Sequence, residues 1–186
     1  SYLIGAAAME EGFDVRVGEI HGMAQRGGVV VTHVRFGHEI LSPTINPGEA
    51  DVILGLEPAE TVRVLSYANE RTLVVMNSQP IVPPTAYVAG ERYPTFHEII
   101  DEVRKFTRRI LTLNAYAIAT EIGLPVAQNI VVLGALAATR CLPLKRETLE
   151  AVIKKYVPPR YVAANLEAFR RGYERAVDEL TLHPLP

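Results

Sequence analysis

Apolar residues follow two different spacings along this chain, and the spacing predicts where strands and helices lie. Near-continuous apolar runs at residues 51–56 and 72–76 are typical of strands buried on both faces of a sheet. Residues 95–110 instead place apolar side chains three and four positions apart, which predicts a helix with Thr95 as its N-cap. Strand and helix patterns alternate to about residue 112, and helical patterns fill residues 115–186.

The first forty residues add a helix and a hairpin to this pattern. Residues 1–11 predict a helix of small side chains, residues 13–17 a short strand, and residues 18–28 a loop. A strand at residues 29–36 and a turn at Gly37-His38 predict a hairpin with residues 39–41. The whole pattern predicts one domain over residues 1–186. We expect an α/β fold with three layers (α/β/α), a largely parallel sheet, one added hairpin and a helical C-terminal third packed on the same domain.

Composition and charge exclude several classes of protein. The 186 residues are 48% hydrophobic and 22% charged, which excludes a disordered chain, a collagen-like repeat and a coiled coil. Basic residues number 19 and acidic residues 21, so the formal net charge of −2 argues against a dedicated nucleic-acid binder. Tryptophan is absent and aromatic residues make up 7%, which argues against a base-stacking surface.

The single cysteine and the lack of long apolar segments indicate a cytoplasmic protein. Cys141 alone forms no internal disulfide and no multi-cysteine cluster, and we expect it to be a buried structural thiol. No run of about 18 apolar residues predicts a membrane span, and no signal peptide is visible. We therefore expect a reducing environment and no membrane partner.

The glycine-rich segment between Glu19 and Gly28 carries the most candidate chemistry. It sets polar side chains among glycines that allow close approach of the backbone, and the candidate site residues are His21, Gly22, Met23, Gln25, Arg26, Gly27 and Gly28. One interpretation is contact with an anion or a partner through Arg26 and successive backbone N–H groups. The other is a mobile surface turn, and composition alone favours neither.

A second candidate follows the buried strand at residues 72–76. Asn77, Ser78 and Gln79 come directly after it, where ligands bind in open α/β sheets. The alternative is a proline-terminated turn in which Asn77 caps backbone groups, as we also expect of Asn114 and Asn129.

Three further chemistries are disfavoured. Glu19 and His21 resemble an acid–base pair but have no nucleophile beside them. His21, His33 and His38 have no standard metal-ligand spacing, so no metal is predicted. No Walker loop and no Gly-x-Gly-x-x-Gly turn occurs.

The string GEIHGMAQRGGVVVTHVRFG, from Gly18 to Gly37, resembles a known family. It is similar to the gamma subunit or gamma domain of 2-oxoacid:ferredoxin oxidoreductases, and within that family to the small beta subunit of indolepyruvate:ferredoxin oxidoreductases. The resemblance continues at residues 42–43, 48–54, 57–58, 77–81, 129–135 and 158–169. The family normally begins with a strand and a Gly-x-Gly-Gly-Gln-Gly turn. This sequence starts inside the helix that follows them, so we expect that segment to be missing here.

The resemblance implies an accessory subunit that is inactive alone. In such complexes thiamine diphosphate with Mg²⁺ and [4Fe–4S] clusters belong to a catalytic partner subunit. The complex oxidatively decarboxylates a 2-oxoacid, with aryl pyruvates favoured here. The products are CO2, an acyl group transferred to coenzyme A, and reduced ferredoxin. The segment from His21 to Gly28 would then face the partner near its active site or the coenzyme A entry.

Two other functions remain distinguishable by simple tests. A stand-alone coenzyme A- or nucleotide-binding module would bind its ligand with no partner present. A small independent enzyme using Glu19 and His21 would turn over a substrate by itself.

Overall fold

Three short apolar runs form a parallel sheet at the centre of the molecule. The structure is a computed structural model that describes residues 1–21, 30–81 and 92–186. Strand β4 lies between β3 and β5 and runs parallel to both. All five residues of β4 are buried, as its unbroken apolar run predicts. The described strands are β1 (Asp14–His21), β2 (Val30–Gly37), β3 (Val52–Gly55), β4 (Leu73–Asn77) and β5 (Ile110–Leu113).

Helices cover both faces of this sheet. Among the described residues they are α1 (Tyr2–Glu10), α2 (Pro58–Arg63), α3 (Phe96–Arg104), α4 (Ala115–Glu121), α5 (Gln128–Thr139), α6 (Arg146–Tyr156) and α7 (Pro159–Leu182), with 3-10 turns at Leu65–Tyr67 and Pro125–Ala127. Leu73 and Val75 point to a core shared with α1, α4, α5, α6 and α7. Val74 and Met76 point to a second core with α3. The predicted three-layer α/β/α fold with a helical C-terminal third is therefore confirmed. Among the helices of the described ranges, none combines the length and the hydrophobicity of a transmembrane span.

Local sequence signals explain where two helices begin. Thr95 caps α3 by accepting a hydrogen bond from the Glu98 backbone N–H at 3.3 Å, while the Glu98 carboxylate accepts from the Thr95 N–H at 2.7 Å. Pro58 occupies the first turn of α2, where its missing N–H costs nothing. The predicted start at Thr95 is confirmed, but α3 ends at Arg104, and Ile110 belongs to β5 instead of the helix. The reason is that the Arg109 carbonyl accepts from the Val74 N–H at 2.9 Å, which draws this segment into the sheet.

The antiparallel hairpin is present, but it joins different strands from those predicted. β1 pairs with β2 from Asp14 opposite Gly37 to His21 opposite Val30. Residues 39–41 form no strand, because the Ile40 N–H donates to the Asp14 carboxylate at 3.0 Å instead of to a ladder.

The predicted loop at residues 18–21 is also wrong, because these residues continue β1. Gly18 lies opposite His33 in the ladder. A Cβ atom at Gly18 would lie 3.0 Å from the Pro43 Cβ, so the glycine here permits close approach inside a strand. Glycine content alone does not distinguish such a strand from a loop.

Candidate functional site

The three parallel strands end at a single edge of the sheet, and polar side chains follow each of them. β3, β4 and β5 end at Gly55, Asn77 and Leu113. Because the strands are parallel, the segments that follow them meet at this carboxyl edge.

Asn77 joins these segments. Its side chain is almost wholly buried, with 1% exposed. The Asn77 Nδ2 donates to the Leu56 carbonyl at 3.2 Å and to Gln128 Oε1 at 3.3 Å. Its Oδ1 accepts from the Gln79 N–H at 3.3 Å and from the Ala115 N–H at 3.0 Å. One amide thus ties the segments after β3, β4 and β5 to the start of α5.

Glu57 is a second anchor, two residues after the end of β3. Its Oε2 accepts from the Glu60 N–H at 2.8 Å and so caps α2. Its Oε1 accepts from the Ile81 N–H at 3.3 Å and from the Tyr93 hydroxyl. Burial, reinforced by the bond to Glu57, raises the pKa of Tyr93 well above its ordinary value. Glu57 therefore holds the segment after β4 against α2.

A third link joins Asn114 to Gln79. The Asn114 Nδ2 donates to Gln79 Oε1 at 3.4 Å, and its Oδ1 caps α4 by accepting from the Ala117 N–H at 2.9 Å. The cap predicted at Asn114 is confirmed, but the cap predicted at Asn129 is wrong, because Asn129 lies inside α5, whose N-cap position is Ala127. We call Glu57, Asn77, Gln79, Asn114 and Gln128 the carboxyl-edge cluster.

The chemistry of this cluster is hydrogen bonding. Its amide and carboxylate groups mainly bond one another and nearby backbone, which orders the loops around them. Ser78 lies between two members, and its hydroxyl has no hydrogen-bond partner among the described residues. Nor do the described residues contain a group of three His, Cys, Asp or Glu side chains placed to hold a metal ion.

The predicted site residues fall into two groups. The structure places Asn77, Ser78 and Gln79 together at the carboxyl edge. His21 is the last residue of β1, and only its backbone is described. The remaining predicted residues lie outside the described ranges: Gly22, Met23, Gln25, Arg26, Gly27 and Gly28. Ligand or partner contact by either group stays a prediction.

The structure also describes the surroundings of two other residues considered from the sequence, His33 and Cys141. His33 is buried, and its Nδ1 accepts from the Ile45 N–H at 3.0 Å, so that nitrogen is already engaged. Its Nε2 has no hydrogen-bond partner among the described residues, and the ring packs edge-on against Tyr67 at 4.9 Å between centroids. Cys141 is half-buried, and burial raises the pKa of its thiol, which keeps it protonated and poorly nucleophilic.

Sequence reasoning missed Glu57 and Gln128 as members of the site and assigned Asn114 only a capping role. Glu57 lies two residues after β3 and Asn114 directly follows β5, and that position is a signal that could have found them. Gln128 lies 51 positions after Asn77, and its contact depends on how α5 packs.

Comparisons with known proteins agree with this architecture. A family model described as pyruvate ferredoxin/flavodoxin oxidoreductase matches residues 1–175. The chain is 41% identical to the indolepyruvate oxidoreductase subunit IorB of Archaeoglobus fulgidus over 95% of this chain and 88% of the relative.

Two solved structures share the fold. The pyruvate oxidoreductase subunit PORC of Thermotoga maritima is 26% identical with a TM-score of 0.60, covering 94% of this chain and 86% of that one. The gamma subunit of a keto/oxoacid ferredoxin oxidoreductase from Geobacter sulfurreducens is 20% identical with a TM-score of 0.65, covering 95% and 89%.

The chain belongs to the pyruvate ferredoxin/flavodoxin oxidoreductase family. Its relatives are subunits of oxidoreductases, and the chain is a small subunit of this kind, similar to IorB. The family resemblance noted from residues 18–37 is thereby confirmed.

Proposed function

We propose that the chain is the small, accessory subunit of a cytoplasmic 2-oxoacid:ferredoxin oxidoreductase acting on indolepyruvate or other aryl pyruvates. The observation that carries this proposal is the 41% identity to an indolepyruvate oxidoreductase subunit across 95% of the chain. The products are an acyl-coenzyme A, CO2 and reduced ferredoxin.

The catalytic groups belong to a partner subunit in this proposal. A [4Fe–4S] cluster needs four thiolates, and the chain has one cysteine, so its residues do not fit a cluster. We assign the clusters, together with thiamine diphosphate and Mg²⁺, to the partner. Thiamine diphosphate supplies the carbanion chemistry of decarboxylation when bound there.

This chain then shapes the surroundings of the partner's active site. We assign partner contact to the segment from His21 to Gly28, whose Arg26 supplies a planar donor for carboxylates or phosphates. The carboxyl-edge cluster has a supporting role, because Asn77 and Glu57 hold the loops after three strands in one arrangement. Ser78 and Gln79 are the side chains at this edge that we assign to a polar ligand such as coenzyme A.

The test is reconstitution under anaerobic conditions. The full-length chain is co-expressed with the large subunit encoded by the same organism, and viologen-dye reduction is measured with indolepyruvate, phenylpyruvate, pyruvate and 2-oxoglutarate. We expect a stable complex, coenzyme A-dependent turnover that is fastest with the aryl pyruvates, and no turnover by either subunit alone.

Three outcomes would contradict the proposal or part of it. Failure of the two chains to co-purify would remove the accessory role. Faster turnover of pyruvate or 2-oxoglutarate would remove the substrate assignment. Unchanged complex yield and turnover with Arg26→Ala would remove the role of the glycine-rich segment.

A further inference from the structure

The residues that precede the three parallel strands meet at the edge of the sheet opposite the carboxyl-edge cluster, which we call the amino edge. Asp51 directly precedes β3, Arg71 lies two residues before β4, and the pair Arg108 and Arg109 directly precedes β5. The Arg109 Nη1 donates to the Arg71 carbonyl at 2.7 Å, and the Leu73 N–H donates to the Asp51 carbonyl at 2.9 Å. These bonds hold the three segments side by side.

The end of α5 lies at the same edge. Arg140 directly follows this helix, and the thiol of its neighbour Cys141 lies close enough to Arg109 and Asp51 for both side chains to act on it electrostatically. The amino edge therefore gathers four arginines from three segments of the chain: Arg71, Arg108, Arg109 and Arg140. Three of them are exposed, and Arg109 is half-buried.

None of these four arginines forms an ion pair with a carboxylate in the described part of the chain. On α6, by contrast, Arg146 pairs with Glu150 at 2.7 Å. Two carboxylates, Asp51 and Glu70, share the amino edge, so these residues carry two more positive than negative charges. A single unpaired arginine is ordinary on a protein surface, but four at one edge produce a local positive potential. This edge is positive on a chain whose formal net charge is −2.

Arg140 occupies a backbone position that favours glycine. Its φ of 54° lies in the left-handed region, and no other non-glycine residue of the described ranges has a positive φ. A left-handed residue after a helix is usually glycine, because a Cβ atom there strains the backbone. The Arg140 N–H donates to the Ala137 carbonyl at 3.3 Å, a bond that glycine would also make. The backbone thus favours glycine here, and a positive charge is what glycine would not supply.

A broad acidic surface fits the amino edge better than a small anion or a nucleic acid. Sites for small anions bring backbone N–H groups together at one point, whereas these arginines are side chains on separate segments. Nucleic-acid binders carry a strong basic excess, and this chain has 19 basic and 21 acidic residues. Carboxylates spread over a protein surface match the separate guanidinium groups.

We propose that the amino edge docks an acidic surface of the catalytic partner subunit, whose carboxylates face the four arginines. The strands have four or five residues and span about 15 Å, so a large subunit in contact with the carboxyl edge also reaches the amino edge. This inference rests on the proposed function, because that function is what supplies a partner subunit.

The test measures association of the full-length chain with the purified partner subunit by biolayer interferometry, without oxygen and over a series of salt concentrations. We expect the wild-type association rate to fall as salt rises, because salt screens exposed charges. Arg108→Glu, at an exposed side chain directly before β5, should slow association about tenfold at low salt and flatten the salt dependence. The matched control is Arg160→Glu in the first turn of α7, at an exposed arginine that likewise has no ion pair among the described residues. It changes the net charge equally and should slow association less than about twofold.

Arg140→Gly separates binding from folding. Its melting temperature, followed by circular dichroism, should equal or exceed that of wild type, because glycine adopts the left-handed conformation without strain. Its association with the partner should nevertheless slow about twofold to fourfold, because one positive charge is lost from the edge. Slower association of a chain that is as stable as wild type is not explained by misfolding.

The outcomes separate this proposal from the proposed function. If the wild-type chain does not bind the partner, the proposed function fails. If it binds, and Arg108→Glu and Arg140→Gly associate as fast as wild type, only the docking at the amino edge is wrong. Equal slowing by Arg108→Glu and Arg160→Glu would show an effect of net charge alone and would overturn the docking surface. A melting temperature of the isolated wild-type chain that rises with inorganic phosphate, and does not rise in Arg140→Gly, would overturn it too, because the edge would then bind a small anion.

Discussion

The side chains of the carboxyl-edge cluster bond one another, whereas those of the surface formed by Val126, Tyr156 and Tyr161 are exposed. We call the latter the Val126 surface. In the cluster, Asn77 alone makes four hydrogen bonds within the chain. At the Val126 surface, Val126 is 77% exposed and Tyr161 38% exposed. Side chains that bond one another within the chain contribute to the stability of the subunit, whereas an exposed side chain contributes little to it. The cluster therefore stabilises the fold, and the Val126 surface does so much less.

The largest expected effect concerns the place where α7 crosses α5. A Cβ atom at Gly172 of α7 would lie 2.0 Å from the Val131 carbonyl oxygen of α5, so the two backbones touch there. Gly172→Ala should lower the free energy of unfolding by about 3 kcal/mol, measured by urea denaturation. Gly123→Ala is the comparison, because Gly123 has open space but φ of 80°. It should cost about 1 kcal/mol. Equal losses for both variants would show that the crossing is loosely packed.

The next effect tests whether the cluster stabilises the fold. Asn77→Ala removes the acceptor for the Gln79 and Ala115 N–H groups, and it should lower the free energy of unfolding by about 2 kcal/mol. Ser78→Ala is the matched control, because the Ser78 hydroxyl has no partner in the described part of the chain, and it should change that free energy by less than about 0.5 kcal/mol. A loss with Ser78→Ala as large as with Asn77→Ala would contradict the contrast between the two side chains.

A smaller effect, with a pH signature, is expected at Tyr93. Tyr93→Phe removes the hydrogen bond to Glu57 and should lower the free energy of unfolding by about 1 kcal/mol at pH 7. The pKa of Tyr93 is raised in the folded state, so its stabilising contribution is complete below the ordinary tyrosine pKa of 10.0 and is lost as the pH rises above it.

The stability advantage of wild type over Tyr93→Phe should therefore shrink above pH 10, measured by urea denaturation at a series of pH values. Tyr116→Phe, at a tyrosine 44% exposed, provides the control. An advantage that stays constant to pH 11 would show that the folded state does not favour the protonated phenol.

The smallest expected effect is at Val126 on the exposed surface. Val126→Ser should leave the free energy of unfolding within about 0.5 kcal/mol of wild type, because the Val126 side chain is 77% exposed. Thermal denaturation followed by circular dichroism measures this. A loss above about 1 kcal/mol would place Val126 in the core and end the contrast between the Val126 surface and the cluster.

Much of the architecture followed from local patterns. The unbroken apolar run of β4 predicted a strand buried on both faces, and Thr95 marked the start of α3. The predicted loop at residues 18–21 failed because the glycine there accommodates Pro43 instead of forming a turn. The pairing of residues 39–41 failed because Asp14 binds the Ile40 N–H. Both errors come from contacts with residues distant in sequence.

The candidate site, too, was predicted in part from local sequence and depended in part on contacts between residues distant in sequence. Asn77, Ser78 and Gln79 were placed at the sheet edge from sequence, since a segment after a buried parallel strand has that position. The cluster around Asn77 needed the structure, because Gln128 reaches it across 51 positions of the chain.

The amino-acid sequence by itself determined the order of strands and helices, their caps and the family, because these depend on the spacing of neighbouring residues. Only the tertiary structure decided that Gly172 lets α7 touch α5 and that Val126 and Tyr161 stay uncovered. The physical reason is that such contacts depend on the relative placement of whole helices, which is set by close packing across the core and leaves no periodic trace in the chain.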